Sequence, residues 1–139
     1  MEVKEGGCRC GSLRYAVEGE PINSVFCYCK ECQALTNSDK WFGAWIPKEK
    51  FSILSGSPAT YSRLGDSGKE LIYMFCGACG IAIGAEVKVG NFISIAVSSL
   101  DNANEIKPAM SIYAASAPEW ALFPEGVPKF DVLPPNMGG

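Results

Sequence analysis

The sequence predicts a mostly β protein with one short helix. Seven runs of residues alternate between apolar and polar side chains, or are rich in β-branched and aromatic residues, as strands are. Gly, Pro, Ser and Asn separate these runs and favour turns. Only one stretch, directly after Cys29, is rich in good helix formers. The predicted strands cover residues 12–18, 41–46, 51–54, 70–75, 81–87, 92–100 and 111–115.

Each predicted element has its own local signal. The first strand, SLRYAVE, alternates apolar and polar residues, whereas WFGAWI and ELIYMF further along are aromatic and β-branched. The helix is expected over KECQAL at 30–35, beginning close to Cys29. The segment PEWALFPEGVPKF at 118–130 is interrupted by prolines, so we expect it to wrap the sheets as an extended tail.

Length, charge and hydropathy limit the class of protein. The 139 residues suit one domain. The formal charge is −3 and there is no basic run, which argues against a nucleic-acid partner. The longest apolar stretch, FISIAV at 92–97, is far shorter than the ~20 residues that span a bilayer, and the first residues lack the apolar core of a signal peptide. We therefore expect a soluble protein of the cytoplasm with no membrane partner.

The seven cysteines are the most informative residues of the chain. They form three groups along the sequence: CRC at 8–10, CYCKEC at 27–32 and CGAC at 76–79. In a reducing compartment a disulfide framework is not expected, and an odd number of thiols cannot all pair. Metal binding or thiol chemistry remains.

The first and last groups have the features of one zinc site. Glycines flank or separate the thiols of both pairs, and glycine allows the tight turns in which backbone amides approach sulfur. Thiols spaced CxC and CxxC can meet the tetrahedral geometry of zinc. We predict a structural zinc site of Cys8, Cys10, Cys76 and Cys79. Buried cysteines without metal, packed as small apolar residues, would explain neither the spacing nor the glycines.

The middle group, Cys27, Cys29 and Cys32, has a different setting. It leads into the predicted helix, and a helix start favours thiolate over thiol. Three ligands with an open fourth position are typical of catalytic zinc. The alternative is a second closed structural site, with Glu31 or Asp39 as the fourth ligand. We predict the open arrangement.

The motifs together resemble a known family. GGCRCGSLRY, FCYCKECQALT, FCGACG, ISIAVSSLD and APEW with GVPKF are similar to those of the glutathione-dependent formaldehyde-activating enzymes, which include the centromere protein V type of domain. The resemblance implies one zinc-binding domain over residues 1–139, with a core of about 6–131. Its implied fold is a β-tent of small antiparallel sheets with zinc knuckles and one short helix.

The resemblance also implies roles for the cysteines. Cys8, Cys10, Cys76 and Cys79 match the ligands of the structural zinc. Cys27, Cys29 and Cys32 match the ligands of the catalytic zinc. The implied activity is that of a carbon–sulfur lyase, which forms or breaks the bond between a small thiol such as glutathione and a small aldehyde such as formaldehyde. The adduct would be S-hydroxymethylglutathione.

The chain departs from the family pattern at several positions. Tyr28 stands where family members often have His, and Asn37 stands where Gly is frequent. The sequence has no histidine, so a proton must move through a thiolate, a carboxylate, Tyr28 or water. The cations that could bind glutathione carboxylates are scattered along the chain: Arg14, Lys30, Lys40 and Arg63.

Three interpretations of function follow from these features. The first is a zinc-dependent carbon–sulfur lyase or synthase. The second is a non-catalytic, zinc-stabilised scaffold for a protein partner. The third is a thiol or metal redox sensor built on the middle cysteines.

Overall fold

Ten strands and one α-helix make up residues 2–135, the part of the chain that a computed structural model describes. The two ends of the expected 1–139 domain lie outside the described residues. The strands are β1 (Val3–Gly7), β2 (Arg14–Glu18), β3 (Asn23–Cys27), β4 (Trp41–Pro47), β5 (Phe51–Ser55), β6 (Ala59–Leu64), β7 (Glu70–Phe75), β8 (Ala82–Val87), β9 (Phe92–Ala96) and β10 (Met110–Ile112). The helix, α1, covers Lys30–Thr36. Within this range, no helix has both the length and the apolar character needed to cross a membrane.

The strands form two sheets. The small sheet has the order β1-β2-β5, and the large sheet has the order β10-β3-β4-β9-β8-β7-β6. Neighbouring strands are antiparallel except β10 and β3, which are parallel. The prediction of a mostly β fold with one short helix is confirmed. The large sheet adds a detail that the sequence did not predict, because seven strands join one sheet.

The two faces of the large sheet contact different parts of the protein, because successive side chains of a strand point to opposite sides. On β9, Ile93 and Ile95 enter the main core, whereas Phe92 and Ser94 point into a cavity on the other face. The main core lies between the two sheets and also contains Tyr15 of the small sheet, which is fully buried. The cavity face is therefore available for a functional site.

The helix α1 begins where the sequence predicts. Cys29 is its N-cap, and the Cys29 sulfur accepts a hydrogen bond from the backbone N–H of Cys32. The helix ends at Asn37, which adopts the left-handed conformation (φ 54°) and donates its N–H to the Gln33 carbonyl. Asn tolerates this conformation better than most residues. Asn37 therefore closes the helix in a backbone conformation that glycine adopts more often.

Three strands were not predicted, each for lack of an apolar pattern. β1 contains two glycines and no large buried side chain, and β6 is mostly exposed at the edge of its sheet. β3 is short and leads directly into the middle cysteines. In addition, the predicted strand 92–100 ends at Ala96, where a 3₁₀ turn begins. The predicted strand 111–115 ends at Ile112.

The proline-rich tail runs alongside β10, as expected. The backbone N–H of Ser111 donates to the Pro128 carbonyl at 2.9 Å, and that of Phe130 donates back to Ser111 at 2.9 Å. Phe130 and Leu133 pack on a second, smaller core with Ile112. The tail therefore covers the end of the large sheet next to the middle cysteines.

We expect the hydroxyl of Tyr15 to contribute to the contact between the sheets. It lies 2.6 Å from Ser99 Oγ, and burial raises the pKa of Tyr15 to about 12, so the phenol stays protonated. Tyr15→Phe should lower the free energy of unfolding by about 1 kcal/mol, the net value of one hydrogen bond. The measurement is urea denaturation of Tyr15→Phe, Ser99→Ala and the double variant. If the two single effects simply add, the hydrogen bond does not couple the sheets.

Candidate metal centres and cavity

The first and last cysteine pairs meet in space. The sulfurs of Cys8, Cys10, Cys76 and Cys79 all lie within 4.8 Å of one another. Cys10 Sγ is 3.6 Å from Cys8 Sγ and 3.7 Å from Cys76 Sγ. A tetrahedral zinc with Zn–S bonds near 2.3 Å requires sulfurs about 3.8 Å apart. The four thiols therefore fit a zinc ion, and we call them the outer cluster.

Two turns with the same hydrogen-bond pattern supply these thiols. The N–H of Cys8 donates to the Leu13 carbonyl, and the N–H of Cys76 donates to the Ile81 carbonyl, five residues on in each case. Gly80 has φ +79°, which residues with a Cβ rarely adopt. The backbone N–H groups of Ala78 and Cys79 point at Cys76 Sγ. The glycines predicted tight turns around these thiols, and both turns have the geometry that a zinc knuckle requires.

Ser12 is a polar neighbour of the outer cluster that the sequence did not identify. Its Oγ lies 3.1 Å from Cys10 Sγ and 3.3 Å from Cys76 Sγ. The Ser12 hydroxyl, followed by the amides of Cys79 and Ala78, lowers the pKa of Cys76 to about 5. A thiolate is the form of cysteine that binds metal, so this surrounding favours ligation. A serine two residues after Cys10 is not a recognisable sequence motif, so the sequence could not identify it.

The three middle cysteines also meet. The sulfurs of Cys27, Cys29 and Cys32 lie within 4.8 Å of one another, and those of Cys29 and Cys32 are 3.1 Å apart. Cys27 ends β3, Cys29 caps α1 and Cys32 lies in its first turn. The trio therefore fits three ligands of one metal ion. We call it the inner cluster.

One thiol of the inner cluster is set to ionise first. Hydrogen bonds from Cys27 and Cys32 lower the pKa of Cys29 to about 3, and the Arg63 charge acts in the same direction. The same contacts raise the pKa of Cys27 to about 12 and also raise that of Cys32. A negative charge on one sulfur therefore disfavours ionisation of its neighbours, because like charges so close together repel each other.

Neither carboxylate considered as a fourth ligand joins the inner cluster. Asp39 is buried and accepts hydrogen bonds from Ser38 and Lys40. Glu31 is exposed and lies 3.5 Å from Arg63 Nε. Among residues 2–135, the group of potential ligands at this position consists of the three cysteines alone.

The inner cluster forms part of the wall of a cavity of about 610 Å³. The cavity lies on the face of the large sheet opposite the main core. Trp41, Trp45 and Phe92 contribute to its floor, and Trp45 stacks on Phe92 with ring centroids 4.5 Å apart. Trp41 Nε1 donates to Ser94 Oγ at 3.1 Å, in a space that the missing side chain of Gly43 leaves open. The cavity is large enough for a drug-sized molecule.

Two tyrosines of the cavity wall are held by charged partners. Tyr113 donates its hydroxyl to Asp66 Oδ2 at 2.6 Å, and Tyr73 accepts from Arg63 Nε at 2.7 Å. Tyr113 has φ +53°, an unusual conformation for a bulky residue that is often found at functional sites. The sequence analysis did not identify these four side chains as one set, because they come from three separate segments of the chain.

Tyr28 does not point into the cavity. It lies between Cys27 and Cys29, so its side chain leaves the backbone on the opposite side. There it is fully buried against Phe123, with its hydroxyl near the Leu122 carbonyl at 3.4 Å. Tyr28 is therefore a packing residue.

Of the four scattered cations, only Lys30 and Arg63 line the cavity. Arg14 pairs with Asp101 through two hydrogen bonds beside the small sheet. Lys40 pairs with Asp39 and lies over the Phe26 ring. A third cation, Lys69, lines the cavity from the β6–β7 turn.

We expect the two clusters to differ in their effect on stability. Metal binding by the outer cluster joins segments that are 66 residues apart between Cys10 and Cys76, so its binding free energy is largely folding free energy. Cys79→Ser should lower Tm by at least about 10 °C, and the matched variant Cys29→Ser by less than about 3 °C. Thermal denaturation with zinc analysis measures both. Equal losses of Tm would contradict the division into two kinds of cluster.

The two clusters should also differ in reactivity. After mild chelation, iodoacetamide at neutral pH should label the inner cluster and leave Cys8 and Cys79 protected, because thiolates at a helix start react readily. Mass spectrometry of the labelled peptides decides the outcome. Label found mainly on the outer cluster would reverse the assignment.

Comparison with known proteins agrees with these motifs and this fold. The family model described as glutathione-dependent formaldehyde-activating enzyme matches residues 3–116. A crystal structure of a Rhodobacter sphaeroides protein has a similar fold, with a TM-score of 0.58 and 19% identity over 75% of this chain and 91% of that chain. None of the curated proteins matches. Because the family model covers most of the 139 residues, the chain belongs to the glutathione-dependent formaldehyde-activating enzyme family.

Proposed function

We propose that the protein is a zinc-dependent carbon–sulfur lyase or synthase that acts on the adduct of a small thiol and an aldehyde. The observation that supports this most is the inner cluster, three cysteines with ligand spacing on the wall of a large cavity. Membership of the family supports a reaction that involves glutathione and formaldehyde. The adduct in that case is S-hydroxymethylglutathione.

The metal roles follow the same proposal. The outer cluster, whose buried members Cys8 and Cys76 belong to the main core, would hold a structural zinc. Cys27, Cys29 and Cys32, which line the cavity, would hold a catalytic zinc. The chemistry that zinc supplies when bound there is stabilisation of a thiolate at neutral pH and polarisation of a carbonyl oxygen.

The reaction is a balanced addition without an oxidant. In the synthetic direction a bond forms between the thiol sulfur and the carbonyl carbon. The π electron pair of the carbonyl moves to its oxygen, and the proton of the thiol ends on that oxygen. Cleavage is the reverse. The chain must therefore hold the two reactants together and move one proton.

We assign the proton transfer to Tyr113. Burial, followed by the Asp66 carboxylate, raises the pKa of Tyr113, so the phenol is a donor at neutral pH. Its hydroxyl can pass a proton between the substrate oxygen and Asp66, which is exposed to solvent. Arg63, fixed by Tyr73, places a positive charge beside Cys29 and favours negative charge on sulfur there. No histidine is needed.

One interatomic distance also supports a redox sensor. The sulfurs of Cys29 and Cys32 are 3.1 Å apart, so oxidation by a peroxide could join them in a disulfide after modest movement. A sensor would lose its metal reversibly on oxidation and would not exchange thiols between adducts. The exchange measurement below separates the two functions.

We expect catalysed exchange of formaldehyde among small thiols, observed by NMR with and without the protein. Cys29→Ser should abolish it, because a ligand is lost. Tyr113→Phe should slow it about a hundredfold, within the usual effect of a general acid. Tyr28→Phe is the matched control and should change the rate less than about twofold, because that phenol points away from the cavity.

A negative result would be equally clear. If the inner cluster is fully loaded with metal and no thiol exchanges faster than the uncatalysed background, the protein is not this enzyme. The zinc-stabilised scaffold would then be the better interpretation.

A further inference from the structure

The cavity beside the inner cluster is much larger than a one-carbon aldehyde requires. Formaldehyde has two non-hydrogen atoms, whereas the cavity volume is about 610 Å³. Pockets of this size usually bury most of a drug-sized ligand. The residues that line the cavity should therefore indicate the chemistry of a second, larger part of the substrate.

The cavity floor is apolar and partly aromatic. Trp45 and Phe92 stack on neighbouring strands with an angle of 21° between their planes. The only polar atom of the Trp41 side chain already donates to Ser94 inside the protein, so Trp41 offers the cavity only its ring. Val25 and Val87 add aliphatic surface. A peptide-like ligand would bind weakly to such a floor, because its amides and carboxylates would lose their hydrogen bonds to water there.

The charges around the cavity do not favour a polyanion. Its lining contains three cations, Lys30, Arg63 and Lys69, and three carboxylates, Glu31, Asp66 and Glu70. Arg63 donates through Nε to Tyr73, lies 3.5 Å from Glu31 and donates through Nη1 to the Leu64 carbonyl, so part of its donor set is already engaged and its charge is partly compensated. The charges of these six side chains thus sum to zero. Glutathione has two carboxylates and one ammonium at neutral pH, and this site has no surplus of positive charge to bind it.

From this floor and this charge balance, we propose that the natural adduct carries an uncharged apolar group of about the size of an aromatic ring, which lies on Trp45 and Phe92. The group can belong to the aldehyde or to the thiol. The inference rests on the proposed carbon–sulfur chemistry for the reacting end of the adduct. The bond changes are those given above, and the apolar group takes no part in them.

Binding can be tested without turnover. Benzyl methyl sulfide is a thioether that cannot react, and S-methylglutathione is its polar counterpart. Quenching of tryptophan fluorescence should show that the benzyl compound binds at least about tenfold more tightly, because one buried ring removes much apolar surface from water. Equal affinities, or tighter binding of S-methylglutathione, would overturn the proposal.

Matched variants locate the site. Phe92→Leu keeps an apolar side chain but loses the ring, and should weaken binding of the benzyl compound about fivefold. Val87→Lys places a charge on the floor and should abolish binding, with its melting curve as the check on folding. Trp120→Leu is the control, because Trp120 is 65% exposed and lies outside the cavity. Undiminished binding by a folded Val87→Lys and by Phe92→Leu would overturn the assignment to this cavity.

Turnover then identifies which reactant carries the ring. One arm pairs phenylacetaldehyde with 2-mercaptoethanol, and the other pairs formaldehyde with benzyl mercaptan. The comparison is formaldehyde with glutathione. Faster exchange in either arm than in the comparison supports the proposal and names the source of the ring; faster exchange with glutathione than in both arms overturns it. Tight binding of the benzyl compound with no exchange in any pair would support the apolar site and reject the lyase function.

Discussion

The meeting of four sulfurs in the outer cluster is the constraint on which the rest of the structure depends. Two turns, one between β1 and β2 and the other between β7 and β8, must come within a few ångströms of each other. One turn belongs to the small sheet and the other to the large sheet. Cys8 and Cys76 are also part of the main core, so apolar packing and the metal ligation proposed for this cluster would act on the same residues. Both effects would hold the small sheet against one face of the large sheet.

That arrangement leaves the other face of the large sheet to form the cavity. The inner cluster is built differently, because its cysteines lie at the end of a strand and the start of a helix. None of the side chains of α1 is buried. The helix start supplies a backbone N–H to Cys29, and the β6–β7 hairpin brings Arg63 and Asp66 to the same cavity. A rigid sheet, a short helix and one hairpin thus converge on three thiols. Both clusters consist of cysteines, so they differ in the elements that surround them and not in ligand type.

The parts of the site that sequence could predict are those with local causes. Cysteine spacing and flanking glycines predicted which thiols meet, and the helix formers after Cys29 predicted the start of α1. The pairing of Tyr113 with Asp66 could not be predicted, because it depends on two segments 47 residues apart and on a left-handed Tyr113. Tyr28 was a candidate proton carrier only until the alternation of side chains at the end of β3 turned it away from the cavity. β6 was missed because an exposed edge strand has no apolar face to display.

The tight contact among Gly43, Trp41 and Ser94 bears on how such a protein can diversify. A side chain at Gly43 would overlap both partners, so this part of the floor tolerates no gradual change. Trp45 and Phe92, in contrast, contact each other and the cavity, and Val87 lies beside them without a polar partner to lose. Replacement of Phe92 or Val87 would therefore change the shape of the cavity without removing a hydrogen bond. Any side chain at Gly43, in contrast, would displace the Trp41–Ser94 pair.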